Sequence, residues 1–166
     1  MTPFTKALAA AVATAAFTLP ALAVERADAV QSIDVTVDMT GVQNAAAASY
    51  WATLDKDLEA AILTRVADRV AEEGAMITVD IDEVSLASGF AEAVGLGDSR
   101  LSGLVKVSDP PQPGRGASYE LTVDMNATLP ALGEGFDLNA ESLDTARVYQ
   151  AMVETFAAQV VANLDK

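Results

Sequence analysis

Residues 35–39 of the chain read V-T-V-D-M, and nearly the same five residues recur as I-T-V-D-I at 77–81 and as L-T-V-D-M at 121–125. In each copy, apolar side chains alternate with Thr and Asp, which is typical of a β-strand with one buried and one solvated face. A further run with apolar residues at alternating positions covers 100–108. We therefore predict four strands, at 32–40, 76–86, 100–108 and 117–127.

Two longer segments carry apolar residues at helical spacing instead. Apolar residues recur every four positions within 44–73, and a second stripe, which includes Phe156, lies within 142–165. Gly74 is placed to cap the first helix, and the Pro- and Gly-containing segment 128–140 is predicted to be a linker. The order of elements is therefore βαβββα.

This order predicts how the sheet is built. A crossover helix makes the first two strands parallel, and the following strands run as an antiparallel meander. Each helix has one apolar stripe and each strand has one apolar face, so the helices are expected to share one side of the sheet. We predict an α+β fold, a four-stranded mixed sheet with two helices packed on one face.

Residues 1–23 have the features of a secretory signal peptide. Lys6 gives a positively charged start, residues 7–19 form an apolar run, and 21–23 read A-L-A, with small residues at alternate positions. The apolar run is too short to span a bilayer comfortably. We predict a single α+β domain over 24–166 that is secreted, and the alanine-rich, cysteine-free composition favours the periplasm.

The composition excludes several kinds of chemistry. The chain has no histidine and no cysteine, so Ser-His-Asp and Cys-His nucleophiles are impossible, and zinc and copper lose their usual ligands. The formal net charge of −14 repels nucleic acid and anionic membranes and favours a basic protein partner. We predict that the protein is not an enzyme and uses no cofactor.

The three repeats supply the candidate binding residues. Their strands point in the same direction in the predicted sheet, so the Thr and Asp side chains share the face that the helices leave uncovered. A calcium ion needs about six to eight oxygens at about 2.3–2.6 Å, which a flat sheet does not supply, so we predict no metal site. The alternatives are a solvated surface and a surface for a basic protein partner, with Lys106 expected between Asp80 and Asp124. The candidate residues are Thr36, Asp38, Thr78, Asp80, Thr122 and Asp124, and Asp34, Asp82 and Glu120 bring the carboxylates of this face to six.

Three functions are compatible with these features. The first is a non-catalytic envelope protein that binds a partner through the acidic sheet face or an open sheet edge. The second is a carrier that holds a small apolar ligand between the sheet and the helices. The third, which the sequence favours least, is a carboxylate-based hydrolase. Tyr50 and Trp51 are interpreted as an anchor of the first helix on the sheet, with a ligand platform as the alternative.

Overall fold

The structure is a computed structural model of the chain. It describes residues 29–39, 45–82, 100–111, 113–114, 116–133, 135–136 and 145–164. The predicted signal peptide at 1–23 lies outside these residues.

The four predicted strands form one mixed sheet. The strand order is β1-β2-β3-β4, with β1 and β2 parallel and the other neighbours antiparallel. Strands β1, β2 and β4 therefore point in the same direction, as the sequence predicts. The strands are β1 Val30–Val37, β2 Ala75–Ile81, β3 Arg100–Ser108 and β4 Ala117–Asp124.

One face of this sheet is covered by helices and holds the core. Residues of β2 show the alternation clearly, because Ile77 and Val79 are fully buried whereas Asp80 is exposed. Leu101 and Val123 continue the buried layer across β3 and β4. The α+β architecture, with helices on one face of a four-stranded mixed sheet, is confirmed.

The first predicted helix is divided into two. Helix α1 covers Ala45–Tyr50 and helix α2 covers Leu54–Arg65. The backbone N–H of Leu54 bonds to the carbonyl of Trp51 at 3.1 Å, which makes a turn between the helices. Trp51 is only 2% exposed, so this turn places the indole in the core.

The prediction is wrong for the C-terminal part of the first helix. Helix α2 ends at Arg65, a short 3₁₀ turn follows at Ala67–Arg69, and Val70 forms an isolated bridge with Val30. The N–H of Ala71 donates to the carbonyl of Val30 at 3.0 Å. Pairing with a distant strand therefore replaces the last helical turns, and Gly74 leads into β2 instead of capping a helix.

The predicted linker after β4 begins with a helix. Helix α3 covers Met125–Leu132, directly after the last residue of β4. The Asp124 carboxylate accepts a hydrogen bond from the N–H of Ala127 at 2.9 Å, which satisfies one of the free donors at the helix start. The helix is followed by Gly133, whose φ of 85° lies in the region that favours glycine.

The closing helix is α4, which covers Thr145–Leu164. Its predicted stripe is buried, and Val148, Met152, Phe156 and Val160 have no exposed surface. It packs against α2 and α3 and against strands β3 and β4. Within the described residues, no helix combines the length and apolar character needed to cross a bilayer.

Candidate functional site

The six carboxylate residues predicted on the helix-free face are all exposed. We call this surface the acidic face, and its strand positions include Asp34 on β1, Asp80 on β2 and Glu120 on β4. Asp82 follows the end of β2, and Asp124 is the last residue of β4. The exposed carboxylate residues are Asp34, Asp38, Asp80, Asp82, Glu120 and Asp124.

The register brings one predicted Thr–Asp pair together. Thr36 lies opposite Asp80 in the parallel pairing of β1 and β2. The Thr36 hydroxyl donates to Asp80 Oδ1 and to the carbonyl of Val79, each at 3.4 Å. Both bonds are long, so they orient Thr36 weakly and leave most of the Asp80 carboxylate to solvent.

The third repeat is used differently from the first two. Asp80 lies opposite Leu104 of β3 whereas Asp124 lies opposite Arg100, so Asp124 does not join Asp80 in one cluster. Asp124 instead caps α3 and lies opposite Arg100 in the β3–β4 register. Thr122 pairs with Ser102, and their hydroxyl oxygens are 2.9 Å apart. Sequence reasoning missed Ser102, although alternation along β3 places it on this face.

The predicted position of Lys106 is wrong. Lys106 lies opposite Thr78 on β2 and opposite Ser118 on β4. Asp80 faces Leu104 instead. On the β2 side the register is offset by two residues from the predicted arrangement, so Lys106 is a diagonal neighbour of Asp80. On the β4 side Asp124 lies opposite Arg100, far along the strand from Lys106.

A shallow depression of about 340 Å³ marks the centre of the acidic face. The side chains of Asp80, Asp82 and Glu120 surround it together with those of Ser102 and Thr122. In the described part of the chain, no group of three or more acidic, His or Cys residues is arranged to hold a metal ion. The surface therefore offers several separate acceptors for hydrogen bonds and positive charges.

The outer edge of β1, which we call its free edge because no other strand of the described residues runs along it, is a second surface of interest. Glu59 of α2 reaches this edge, where its Oε1 accepts a hydrogen bond from the backbone N–H of Val35 at 3.2 Å. A groove of about 340 Å³ lies between the first half of β1 and α2. Leu63 and Val70, which line it, are 48% and 51% exposed. No sequence pattern indicates this groove, because it depends on how α2 lies across the sheet.

A third groove, of about 740 Å³, runs between α2 and α4. Asp57 lines it and accepts hydrogen bonds from the hydroxyls of Thr53 and Tyr149, both at 2.6 Å. Burial and the bond to Asp57 raise the pKa of Tyr149 above its usual value of 10.0. The phenol donates to Asp57, and this bond holds α4 against α2.

The aromatic residues beside this groove take part in the packing of the core. The rings of Tyr50 and Trp51 meet edge to face with centroids 4.6 Å apart, and Trp51 and Tyr149 are 5.7 Å apart. Burial raises the pKa of Tyr50 to about 12. Because Trp51 is almost fully buried, the structure favours the anchor over the ligand platform.

Comparison of the chain with protein-family models, with curated proteins and with solved structures finds no match in any of the three. The proposals below therefore depend on the residues and their arrangement.

Proposed function

We propose that the protein is a non-catalytic, secreted envelope protein that binds a basic partner through the acidic face. The observation that carries the proposal is the exposure of all six carboxylates that the alternation pattern assigns to the face of the sheet that the helices leave uncovered. The formal net charge of −14 adds long-range attraction for a cationic surface. Location in the periplasm, which the signal-like residues 1–23 suggest, is part of the same proposal.

The chemistry of the acidic face supports binding more than catalysis. Carboxylate pairs that act as general acid and base differ in environment, so that one of them stays protonated. Asp80, Asp82 and Glu120 do not differ in environment in this way, because all three are exposed to solvent. Spaced, solvated carboxylates of this kind are suited to pairing with lysine and arginine at the rim of an interface.

The carrier hypothesis has less support from the packing. The layer between the sheet and the helices is occupied by fully buried side chains, among them Ile62, Ile77, Leu101 and Phe156. A ligand held there would have to displace close-packed core atoms. The depressions described above lie on the outer surfaces and at the sheet edge.

The proposal is tested with a triple variant, Asp38→Asn, Asp80→Asn and Asp124→Asn. Asparagine keeps an oxygen that can accept the bonds from Thr36 and from the Ala127 N–H, so only charge is removed. The matched control changes Asp68→Asn, Glu72→Gln and Glu73→Gln, which are exposed residues between α2 and β2. Both triples remove three negative charges, so the total charge is equal and only its location differs.

Binding of an oligolysine peptide is measured by isothermal titration calorimetry at several salt concentrations. We expect the acidic-face triple to bind oligolysine about tenfold more weakly than wild type. Each exposed carboxylate–lysine pair contributes only a small binding free energy, and the tenfold change is the combined loss of three such pairs. The control triple should stay within about twofold of wild type, since its charges belong to the connection between α2 and β2 and not to the acidic face. Equal losses in both triples would show that net charge alone attracts the peptide, and the proposal would then be wrong.

A further inference from the structure

The free edge of β1 borders an exposed apolar groove. Strand β1 is the first strand in the sheet order, and within the part of the chain that the structure describes its other side carries no paired strand beyond the isolated bridge to Val70. Val30 and Ile33 line the groove from the strand, Leu63 lines it from α2, and Val70, which forms an isolated bridge with Val30, also lines it. Exposed apolar surface beside an unpaired strand edge is a feature that strand-addition sites share.

The backbone at this edge is covered at points on either side of Ile33. At one point Val30 accepts a bond from the N–H of Ala71, and at the other Val35 donates to Glu59. Alternate residues of a strand direct their backbone groups to the same side, so Ile33 and Val37 present N–H and C=O groups where Val35 does. A peptide that pairs with the middle of β1 would take the place of the Glu59 carboxylate.

The two sides of such an added strand would meet different surfaces. Side chains on the helix side would enter the groove beside Leu63 and Val70. The alternate side chains would lie on the acidic face, next to Asp34 and Asp38, which are both exposed. Charge complementarity therefore favours positive residues at every second position and apolar residues between them.

We propose that the β1 edge binds an extended peptide segment in which apolar side chains alternate with lysine or arginine. This proposal rests on the proposed function and names the class of partner. A second copy of the chain fits this edge poorly, because pairing of two β1 strands would place the carboxylates of Asp34 and Asp38 beside those of the other copy.

The test compares two synthetic peptides of identical composition and charge. In one peptide lysine and valine alternate, and in the other the lysines form one block and the valines another. Both are titrated into the full chain by calorimetry. We expect the alternating peptide to bind about tenfold more tightly, because only it can pair with β1 while placing valines in the groove.

Variants then locate the difference. The double variant Leu63→Gln and Val70→Thr removes apolar surface from the groove without adding charge. The control is Met76→Gln, which removes another exposed apolar side chain, 39% exposed, on β2. We expect the double variant to bind both peptides equally and Met76→Gln to keep the preference. Hydrogen exchange should slow at the Ile33 and Val37 amides only with the alternating peptide.

The outcomes separate this proposal from the proposed function. If wild type binds both peptides equally and the acidic-face triple weakens both, the edge proposal is wrong and the proposed function stands. If the preference persists in the Leu63 and Val70 variant, the groove is not the site and the edge proposal is also wrong. If the preference depends on the groove but the acidic-face triple binds the alternating peptide as tightly as wild type does, the edge binds the peptide, the acidic face does not, and the proposed function is wrong. Absence of binding by either peptide would overturn both proposals.

Discussion

Asp124 can be tested for two separate roles, because its carboxylate lies on the acidic face and also begins α3. Its Oδ1 accepts the N–H of Ala127 at 2.9 Å, and its backbone is extended, with φ of −103° and ψ of 178°. Asp124→Ala removes both the charge and the acceptor. Asp124→Asn removes only the charge, because asparagine caps helices about as well as aspartate.

The expected cost of Asp124→Ala is about 1 kcal/mol of unfolding free energy, within the usual range of about 0.5–2 kcal/mol for a lost N-cap. The upper part of that range is not expected, because other contacts hold the helix start. The hydroxyl of Thr128 still donates to the backbone carbonyl of residue 124 at 2.8 Å. Met125 and Leu132, which are 2% and 0% exposed, keep α3 packed. A loss of about 1 kcal/mol corresponds to a fall in Tm of about 2–4 °C in a chain of this size.

Urea denaturation followed by circular dichroism measures this cost, and oligolysine titration measures binding for the same proteins. We expect Asp124→Ala to be less stable than wild type and Asp124→Asn to match wild type. Both variants should lose the same amount of oligolysine affinity, because both lose the charge. Glu120→Gln is the control for charge removal on β4 without a cap. If Asp124→Asn is destabilised as much as Asp124→Ala, the cap does not contribute and our interpretation of α3 is wrong.

Two further predictions concern stability. Gly74→Ala should destabilise the chain by about 1–3 kcal/mol in thermal denaturation, because the added Cβ would overlap the carbonyl of Ala29. The control is Gly114→Ala, which should not destabilise the chain because nothing lies within 4 Å of its added Cβ. Equal effects at both positions would contradict the close approach of Gly74 to Ala29. Burial raises the pKa of Tyr50 from 10.0 to about 12 and also raises that of Tyr149, so the contribution of these phenols to stability is complete below pH 10 and is lost as the pH rises through the folded-state pKa values. Urea denaturation at increasing alkaline pH should show this fall and a shallower one in Tyr50→Phe, whereas identical pH profiles would refute the assignment.

The strands could be predicted from sequence because alternation fixes which side chains face the core. Val79 and Asp80 are neighbours along β2, yet one is fully buried and the other exposed. The apolar stripe of α4 follows the same logic at helical spacing. Local patterns of this kind indicate which face of a strand or helix carries a side chain, and burial of the apolar faces then packs the helices against the sheet.

Helix α3 is not predicted because the residues after Asp124 fit both a continued β-strand and the start of a helix. Met125 continues the alternation of β4, so the strand was predicted to reach 127. An aspartate followed by Met125, Thr128, Leu129 and Leu132 is also an N-cap before residues at helical spacing. That signal was present in the sequence and could have placed the helix.

The sequence by itself determined the two faces of the sheet, the location of the carboxylates on one of them, and the absence of histidine and cysteine chemistry. Only the tertiary structure decided which side chains are neighbours. Alternation has a period of two, so a shift of two residues along a strand preserves the faces and changes every partner. Lys106 lies opposite Thr78 instead of Asp80 for this reason. The end of α2 is also set by tertiary contacts, because Val70 and Ala71 pair with Val30, which is distant in the chain.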